Sequence, residues 1–375
     1  MKPFGIILLA SERSGSNLLR TLLGNHSDIS APVAPHLIKI FYPIKHYYSD
    51  LHSPKNNKYL FNDMIEIVNH PFSDWKLKLD YENINSLRTT SIVKMMNYLY
   101  MKEAERNQKS FYCSKGINTF RYINQIRNEV PNMRFVHLVR DPRDVVASWM
   151  QRSSSLSSSY DAVLQWKKQQ KMLIKLRKDH HFNCISIRYE DLINDSEKTM
   201  NKLLSALSLK IDEKCYKTNS QNKESQKSEY WKNLSRPILA KNTNKFKEKL
   251  CQEDILMIET IAKEEMRIFD YTPSSSQNWK LNKGSINHII KQRKKRKEKE
   301  KMDIGDADQL LKSKQALIKS VITHRKKQYY KTLNIFERLK AMMRLNLQVL
   351  IKKFILQYLG NFRVTFLLRN LTNRK

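Results

Sequence analysis

The stretch Phe4-Gly-Ile-Ile-Leu-Leu-Ala-Ser-Glu-Arg-Ser-Gly-Ser-Asn-Leu-Leu-Arg20 decides the fold. Residues 4–10 are a short apolar run, whose length and branched side chains are typical of a buried parallel strand. Residues 11–17 are polar, with one glycine, and leucines at helical spacing follow. A strand, a tight turn and a helix N-terminus bind anions, because backbone N–H groups and the positive end of the helix dipole converge there. We therefore expect this loop, with Arg13 beside it, to hold a phosphate-like group.

The loop differs from the phosphate-binding loop of nucleoside triphosphatases. That loop requires Gly, four residues, a Gly-Lys pair and a Ser or Thr that holds magnesium. Here Gly15 has no second glycine or following lysine, and the basic residue Arg13 precedes it by two positions. A P-loop kinase-like phosphotransferase is a competing function, but this sequence lacks the Gly-Lys pair that such an enzyme needs. We therefore expect no bound metal.

A second strand–turn–helix motif is Arg134-Phe-Val-His-Leu-Val-Arg-Asp-Pro-Arg-Asp-Val-Val-Ala-Ser-Trp149. Its apolar strand ends at Arg140, and a proline near the first helical turn starts the helix. Ser148 lies on that helix, so a guanidinium and a hydroxyl can reach one phosphate. The alternative is a charged surface turn in which Arg143 pairs with Asp144.

Together the two motifs resemble those of sulfotransferases that use 3′-phosphoadenosine 5′-phosphosulfate (PAPS), in the bacterial and carbohydrate-type branch of that family. The resemblance implies a 5′-phosphosulfate loop made of Arg13, Ser14, Gly15, Ser16 and Asn17. It also implies a 3′-phosphate site at Arg140 and Ser148, which stand eight positions apart as in the family. The implied reaction moves a sulfuryl group from PAPS to a hydroxyl or amine of a carbohydrate, lipid or metabolite.

Further matches extend the resemblance to about residue 275. Lys115 follows a predicted strand, where family members often carry a lysine. Tyr189 opens a Tyr-Glu-Asp-Leu segment whose tyrosine lies near the adenine in relatives; the alternative is a partly buried tyrosine with a hydrogen-bonded hydroxyl. Lys245 occupies the place of a family lysine that reaches the cofactor; the alternative is a solvated lysine.

The candidate catalytic residues are Arg13 and His36. Many relatives carry a glutamate after the first helix that deprotonates the acceptor, but Ala34 stands at that place here. Histidine is a sound base because its ordinary pKa lies near neutral, so we expect His36 to replace the missing carboxylate. The alternatives are another base, Asp28, Asp74 or His70, and a catalytically impaired nucleotide-binding or membrane-scaffold protein.

These patterns predict a three-layer α/β, P-loop-like fold with a central parallel sheet and helices on both faces. The predicted strands lie near 4–10, 111–114, 134–139 and 183–189, and flanking helices are predicted at 160–180 and 253–269. We expect a sulfotransferase domain over residues 1–275 and a basic, largely helical C-terminal extension over residues 276–375.

The net charge of +33 is concentrated in that extension. Residues 280–375 contain 26 Lys and Arg against 6 Asp and Glu, a net charge of +20. Two helices are predicted there, at 307–330 and 334–369, and the second is basic with an aromatic-rich face. We expect residues 291–369 to adsorb to an anionic membrane surface. The alternatives are packing on the catalytic domain, self-association and, least favoured because residues 291–301 lack aromatics, nucleic-acid binding.

Four cysteines without paired spacing indicate neither a disulfide framework nor a zinc site. No stretch approaches the ~20 apolar residues of a membrane span, and residues 4–10 are too short for a signal-peptide core. We therefore expect a cytoplasmic protein, with peripheral attachment to the inner face of the membrane through its extension.

Overall fold

The computed structural model describes residues 3–274 apart from 86–88, 117–118, 152–157, 178–181, 183, 221, 228 and 240–241, together with residue 284 and residues 309–334. The charged run 291–301 and, except for its first residue, the predicted helix 334–369 lie outside the described residues. Membrane adsorption of this region therefore stays a prediction.

The centre of the fold is a five-stranded sheet in which every strand pairing is parallel. In chain order the strands are β1 Gly5–Ala10, β2 Ile29–Ser30, β3 Phe111–Lys115, β4 Arg134–Val139 and β5 Cys184–Arg188. They lie in the order β2-β3-β1-β4-β5, and Leu8 of β1 pairs with Lys115 on one side and Val136 on the other. The four predicted strands are confirmed, whereas the two-residue β2 was missed because it is too short to show a pattern.

The described helices surround this sheet. They are α1 Ser16–Gly24, α2 Leu37–Phe41, α3 Pro54–Asn69, α4 Tyr81–Asn85, α5 Ile92–Arg106, α6 Ile123–Glu129, α7 Pro142–Met150, α8 Ser159–Arg177, α9 Tyr189–Asn194, α10 Ser196–Ala206, α11 Phe246–Lys249, α12 Gln252–Ile268 and α13 Gln309–Thr332. The 3-10 helices are Tyr42–Tyr48, Thr119–Tyr122, Glu213–Tyr216, Lys223–Gln226 and Glu229–Ser235. The helices predicted at 160–180, 253–269 and 307–330 correspond to α8, α12 and α13.

Side chains of β1 alternate between two apolar cores, which explains its continuous apolar sequence. Ile7 and Leu9 lie in the core built with α2, α3, α5 and α6. Ile6 and Leu8 lie in the core built with α1, α9 and α10. The sheet is therefore buried on both faces, and the three-layer α/β prediction is confirmed.

The turn after β4 is buried rather than a charged surface turn. The guanidinium of Arg143 is paired with Asp141 at 2.7 Å and with Glu259 of α12 at 2.6 Å. Asp144, in contrast, faces Arg140 at 3.7 Å. The two residues that a surface turn would pair with each other thus have separate, buried partners, and α7 is fixed to α12.

The sheet order creates a crevice at one place on its carboxyl edge. From β1 the chain crosses to β2 and β3 on one side, and later to β4 and β5 on the other. Loops that leave adjacent strands in opposite directions part from each other, and ligands of open α/β sheets bind in such crevices. The loops after β1 and β4, which carry both sequence motifs, meet there.

Helix α13 of the basic extension packs on the 3-10 helix Tyr42–Tyr48 and on α3. Its residues Val321 and Arg325 are buried, and Val321 belongs to the same core as Ile7. Packing on the rest of the fold is thus observed for this helix, whereas the packing alternative for the predicted helix 334–369 stays a prediction. The domain boundary near residue 275 stays a prediction.

Two further observations concern the cysteines and the apolar character of the helices. All four cysteines are free thiols; Cys113 is buried, and Cys184 is half-buried because β5 is an edge strand. Across the part of the chain that the structure describes, we find no helix with the length and apolar character needed to traverse a bilayer.

His137 on β4 makes acid stability a test of the core. It is fully buried; its Nε2 donates to Gln170 Oε1 at 2.9 Å, and burial lowers its pKa to about 3. In the unfolded chain this imidazole takes up a proton as the pH falls below 6.5, whereas in the fold it stays neutral until about pH 3. The free energy of unfolding of the wild type therefore falls by up to about 1.4 kcal/mol for each pH unit of acidification in this range. We expect His137→Gln to abolish this contribution.

The measurement is urea unfolding at several pH values between 6.5 and 4, with His52→Gln, a change at an exposed histidine, as the matched control. The wild type and the control should lose stability more steeply on acidification than His137→Gln. Equal slopes for all three proteins would contradict the assignment.

Candidate functional site

The loop after β1 is held in a conformation that demands its glycine. Gly15 has φ 86°, in the left-handed region that favours glycine. A Cβ at this position would lie 2.3 Å from a ring carbon of Tyr189. Arg13 is also left-handed, with φ 70°, at a cost of about 1 kcal/mol or more for a residue with a side chain. The loop thus depends on Gly15 for both its turn and its contact with α9.

Helix α1 begins at the end of this loop with no side-chain cap. Its N-cap is Gly15, and its first turn carries no acidic residue. The first N–H groups of a helix have no intrahelical acceptor and carry the positive end of the dipole. Ser14, just before the cap, is fully buried, and among the described residues its hydroxyl has no hydrogen-bond partner.

Arg140 ties this loop to three other segments. Its Nη1 donates to the carbonyl of Arg13 at 3.0 Å, and its Nη2 donates to the carbonyl of Asn242 at 2.9 Å. The guanidinium carbon lies 4.4 Å from the centre of the Tyr189 ring. Its Nε is buried and unpartnered within the described ranges.

Two side-chain hydrogen bonds connect the first loop to helix α7 and strand β3. Nε of Arg13 donates to Oγ of Ser148 on α7 at 2.9 Å. Nζ of Lys115, at the end of β3, donates to Oδ1 of Asn17 at 2.8 Å. The two sequence motifs therefore meet directly, through Arg13 and Ser148.

Asp144 on α7 fixes part of residues 242–246, which the resemblance to sulfotransferases assigns, together with residues 231–237, to a late segment that covers the cofactor. Its carboxylate accepts the N–H groups of Asn244 at 2.9 Å and Phe246 at 3.0 Å. Burial raises the pKa of Asp144, and the guanidinium of Arg140 opposes that rise. Asn242 in the same segment donates its side-chain amide to the hydroxyl of Tyr189 at 2.6 Å. This arrangement brings Lys245, the next basic residue, to the cavity.

His36 follows β2 in the chain and directly precedes α2. It has a left-handed backbone, φ 63°, and its carbonyl accepts the N–H of Ile40, which orients the start of the helix. Burial lowers the pKa of His36 well below 6.5, and Lys115, Lys314 and Lys39 lower it further by repulsion. The imidazole is therefore neutral at neutral pH.

These groups surround one cavity of about 430 Å³ at the carboxyl edge of the sheet. Of the residues that the sequence singled out, it is lined by Arg13, Gly15, Ser16, Asn17, His36, Lys115, Arg140, Ser148, Tyr189 and Lys245. Ser14, in contrast, is fully buried and is not among the lining residues. The other candidate bases, Asp28, Asp74 and His70, are not among its lining residues.

Several lining residues were not predicted as site residues by the sequence analysis. They are Glu12, Leu18, Phe72, Asp144, Ala147, Gln151, Trp231, Asn233, Leu234, Asn242, Lys249 and Leu311. Glu12 is adjacent to Arg13 and was a visible carboxylate, whereas Phe72 and Leu311 are apolar residues of ordinary helical or loop patterns. Trp231 and Asn242 stood in the late segment, but nothing in the sequence distinguished them from their neighbours.

Metal ligands are not clustered in this cavity. Within residues 3–274 and 309–334, less the gaps given above, no three His, Cys, Asp or Glu side chains are grouped to hold a metal ion. The charged groups that the site offers are mainly cations, so its arrangement suits a ligand that carries several negative charges.

Comparison with known proteins agrees with this geometry. A family model described as "Sulfotransferase family" matches residues 3–213. No curated protein sequence is significantly similar to the chain.

Three solved structures that the chain matches are distant from it in sequence. The sulfotransferase domain of the Synechococcus PCC 7002 olefin synthase is 20% identical, with 70% of this chain and 94% of that chain covered and a TM-score of 0.46. A sulfotransferase domain from the curacin biosynthetic pathway is 17% identical, with 72% and 99% covered and a TM-score of 0.48. Sulfotransferase STF9 from Mycobacterium avium is 12% identical, with 72% and 77% covered and a TM-score of 0.39.

The family assignment rests on the sequence model rather than on these distant structures. Its matched segment is more than half of the chain and includes β1, β4 and both loops that build the cavity. The chain therefore belongs to the sulfotransferase family.

Proposed function

We propose that this sulfotransferase takes its sulfuryl group from PAPS, passes it to a hydroxyl or amine of an acceptor, and releases adenosine 3′,5′-bisphosphate. The observation that carries the proposal is the direct contact of the two motifs. Arg13 of the first loop and Ser148 of the second motif are 2.9 Å apart, beside Arg140. One nucleotide that carries a phosphate on each side of its ribose accounts for both motifs.

The residues present suit such a donor. Arg140 Nε is a buried donor without a partner among the described residues, and a ligand oxygen would satisfy it. Arg13 and Arg140 supply two fixed positive charges, so the phosphates are neutralised without a metal ion.

Each group then has a role in sulfuryl transfer. Arg140 and Ser148 hold the 3′-phosphate and position the donor for in-line attack. Arg13 and the N–H groups at the start of α1 stabilise the negative charge that develops on the leaving phosphate oxygen. The acceptor oxygen or nitrogen forms a bond to sulfur while the bond from sulfur to that phosphate oxygen breaks.

His36 accepts the proton that the acceptor loses. A base must be unprotonated before it acts, and the lowered pKa of His36 keeps it so even in mildly acidic solution. Glu12 is the competing base, because it is a carboxylate that lines the same cavity. A protein that binds the nucleotide without transfer is the competing function.

The donor assignment predicts a selective loss of affinity in Ser148→Ala. We expect adenosine 3′,5′-bisphosphate to bind the wild type more tightly than adenosine 5′-phosphate, because only the former reaches Ser148. The variant should bind the bisphosphate about tenfold more weakly, the value of one hydrogen bond to a charged group, and bind the monophosphate unchanged. Titration calorimetry with both nucleotides measures this.

The matched control is Ser205→Ala, which makes the same change at an exposed position of α10. Its affinities should equal those of the wild type. An equal loss for both nucleotides in Ser148→Ala would remove that residue from the 3′-phosphate site. Tighter binding of ATP with magnesium than of the bisphosphate would favour the kinase-like alternative.

The base assignment predicts that His36→Ala slows transfer about 100-fold while the bisphosphate still binds. Transfer of labelled sulfate from PAPS to a cell lysate, and to a panel of phenols, sugars and amines, measures the rate. In the wild type the rate should fall only as the pH drops well below 6.5, because protonation removes the base and the pKa of His36 is lowered.

His52→Ala, at an exposed histidine, serves as the control and should retain the wild-type rate. Glu12→Gln tests the competing base. Undiminished transfer in His36→Ala together with a large loss in Glu12→Gln would move the base to Glu12. Bisphosphate binding without any transfer by the wild type would favour the impaired binder.

A further inference from the structure

Helix α13, which lies outside the segment matched by the family model, supplies part of the cavity wall. Leu311, near its N-terminus, lines the cavity. Lys314, Val321 and Arg325 follow at helical spacing and are the buried residues of the helix. This stripe turns one face of α13 toward the catalytic domain, so the residues near its N-terminus are held beside the site.

The helix is anchored firmly enough to place a side chain. Arg325 forms a bidentate pair with Asp63 of α3, with Nε to Oδ2 at 2.6 Å and Nη2 to Oδ1 at 2.7 Å. Tyr48 donates its hydroxyl to the same carboxylate at 2.6 Å. A bidentate, buried ion pair fixes geometry because both partners have lost their solvent.

Lys314 reaches from this helix to two loops, the one before His36 and the one that contains Phe72 and Ser73. Its Nζ donates to Oγ of Ser73 at 2.6 Å, lies 3.5 Å from the carbonyl of Ala34, and sits 5.3 Å from the centre of the Phe72 ring. Ala34 is two residues before His36, and Phe72 and His36 both line the cavity. The ammonium thus joins the His36 loop to the Phe72 loop.

We propose that Lys314 is a positioning residue for the acceptor side of the cavity, the wall beside His36: its buried ammonium ties these two loops together and adds a positive charge to the surroundings of His36. No matching group was visible in the sequence, because Lys314 is one lysine among many in a strongly basic extension. It is 3% exposed, which separates it from the solvated lysines of the same helix.

The charges around His36 agree in sign. Lys115 comes from β3, Lys39 from α2 and Lys314 from α13, and all three disfavour protonation of the imidazole, although burial is the larger cause of its lowered pKa. Glu12 and Asp144 are the carboxylates among the residues that line the same cavity. Burial and nearby Lys227 lower the pKa of Lys314 to about 8, so Lys314 keeps its charge throughout the acidic range in which His36 titrates.

The test is an NMR titration of the His36 imidazole in the full-length protein labelled with ¹⁵N-histidine, with His36→Gln to assign the signal. We expect Lys314→Met and Lys314→Gln to raise the pKa of His36 by about 0.5 or more, because one nearby cation is removed. Lys314→Arg, which keeps the charge, should leave it lowered. Lys312→Met removes the same charge from an exposed position of α13 and should have no effect.

An unchanged His36 titration in both neutral variants would overturn the proposal, as would an equal shift in Lys312→Met. Circular dichroism shows which variants fold. Lys314→Gln keeps a polar end for Ser73, so it tests the charge even if Lys314→Met does not fold.

The pH–rate profile adds an arm that rests on the proposed function. If His36 is the base, the acid limb of transfer should move to higher pH by the same amount in Lys314→Gln. A shifted titration with an unmoved acid limb would leave the Lys314 assignment intact and contradict the role of His36 as base.

Discussion

The contacts of Arg140 are what the rest of the site depends on. One guanidinium joins the carbonyl of Arg13, the carbonyl of Asn242, the ring of Tyr189 and, at 3.7 Å, the carboxylate of Asp144. A buried charge is costly unless it is paired, and this carboxylate is shared with two backbone N–H groups. The four segments are thus assembled around a cation that is incompletely compensated. Such a centre favours an anion, which agrees with the phosphate-binding role that the sequence suggests.

The parts of the fold that sequence reasoning predicted are those where one short segment determines its own structure. The apolar run 4–10 and the strand 134–139 are strands because both faces of a parallel sheet are buried, and the residues after each must turn into a helix. Gly15 was predicted from its turn, although the contact with Tyr189 that also requires a glycine was invisible. For such local signals, the order of residues along the chain is sufficient.

The parts that were missed depend on contacts between distant segments. Ser148 was expected to face a phosphate, but its hydrogen bond with Arg13 spans 135 positions. Asp144 was considered as part of a surface turn, whereas it holds the backbone of residues 244 and 246. Lys314 lies 241 positions from Ser73. The composition of the chain gives the number of its lysines. Only the packing of α13 shows that Lys314 is buried.

The two sides of the cavity share one electrostatic field. In the proposed reaction, Lys115 serves both sides, because it reaches the first loop through Asn17 and also repels a proton from His36. A bound phosphosulfate brings negative charge to the same place, which offsets this repulsion and raises the proton affinity of His36. The base is therefore kept neutral in the free protein and becomes a better proton acceptor once the donor is bound. Lys314, whose ammonium lies 3.5 Å from the carbonyl of Ala34, limits that rise. Nearby cations lower the proton affinity of any base at this place, and a histidine starts from a higher ordinary pKa than a carboxylate.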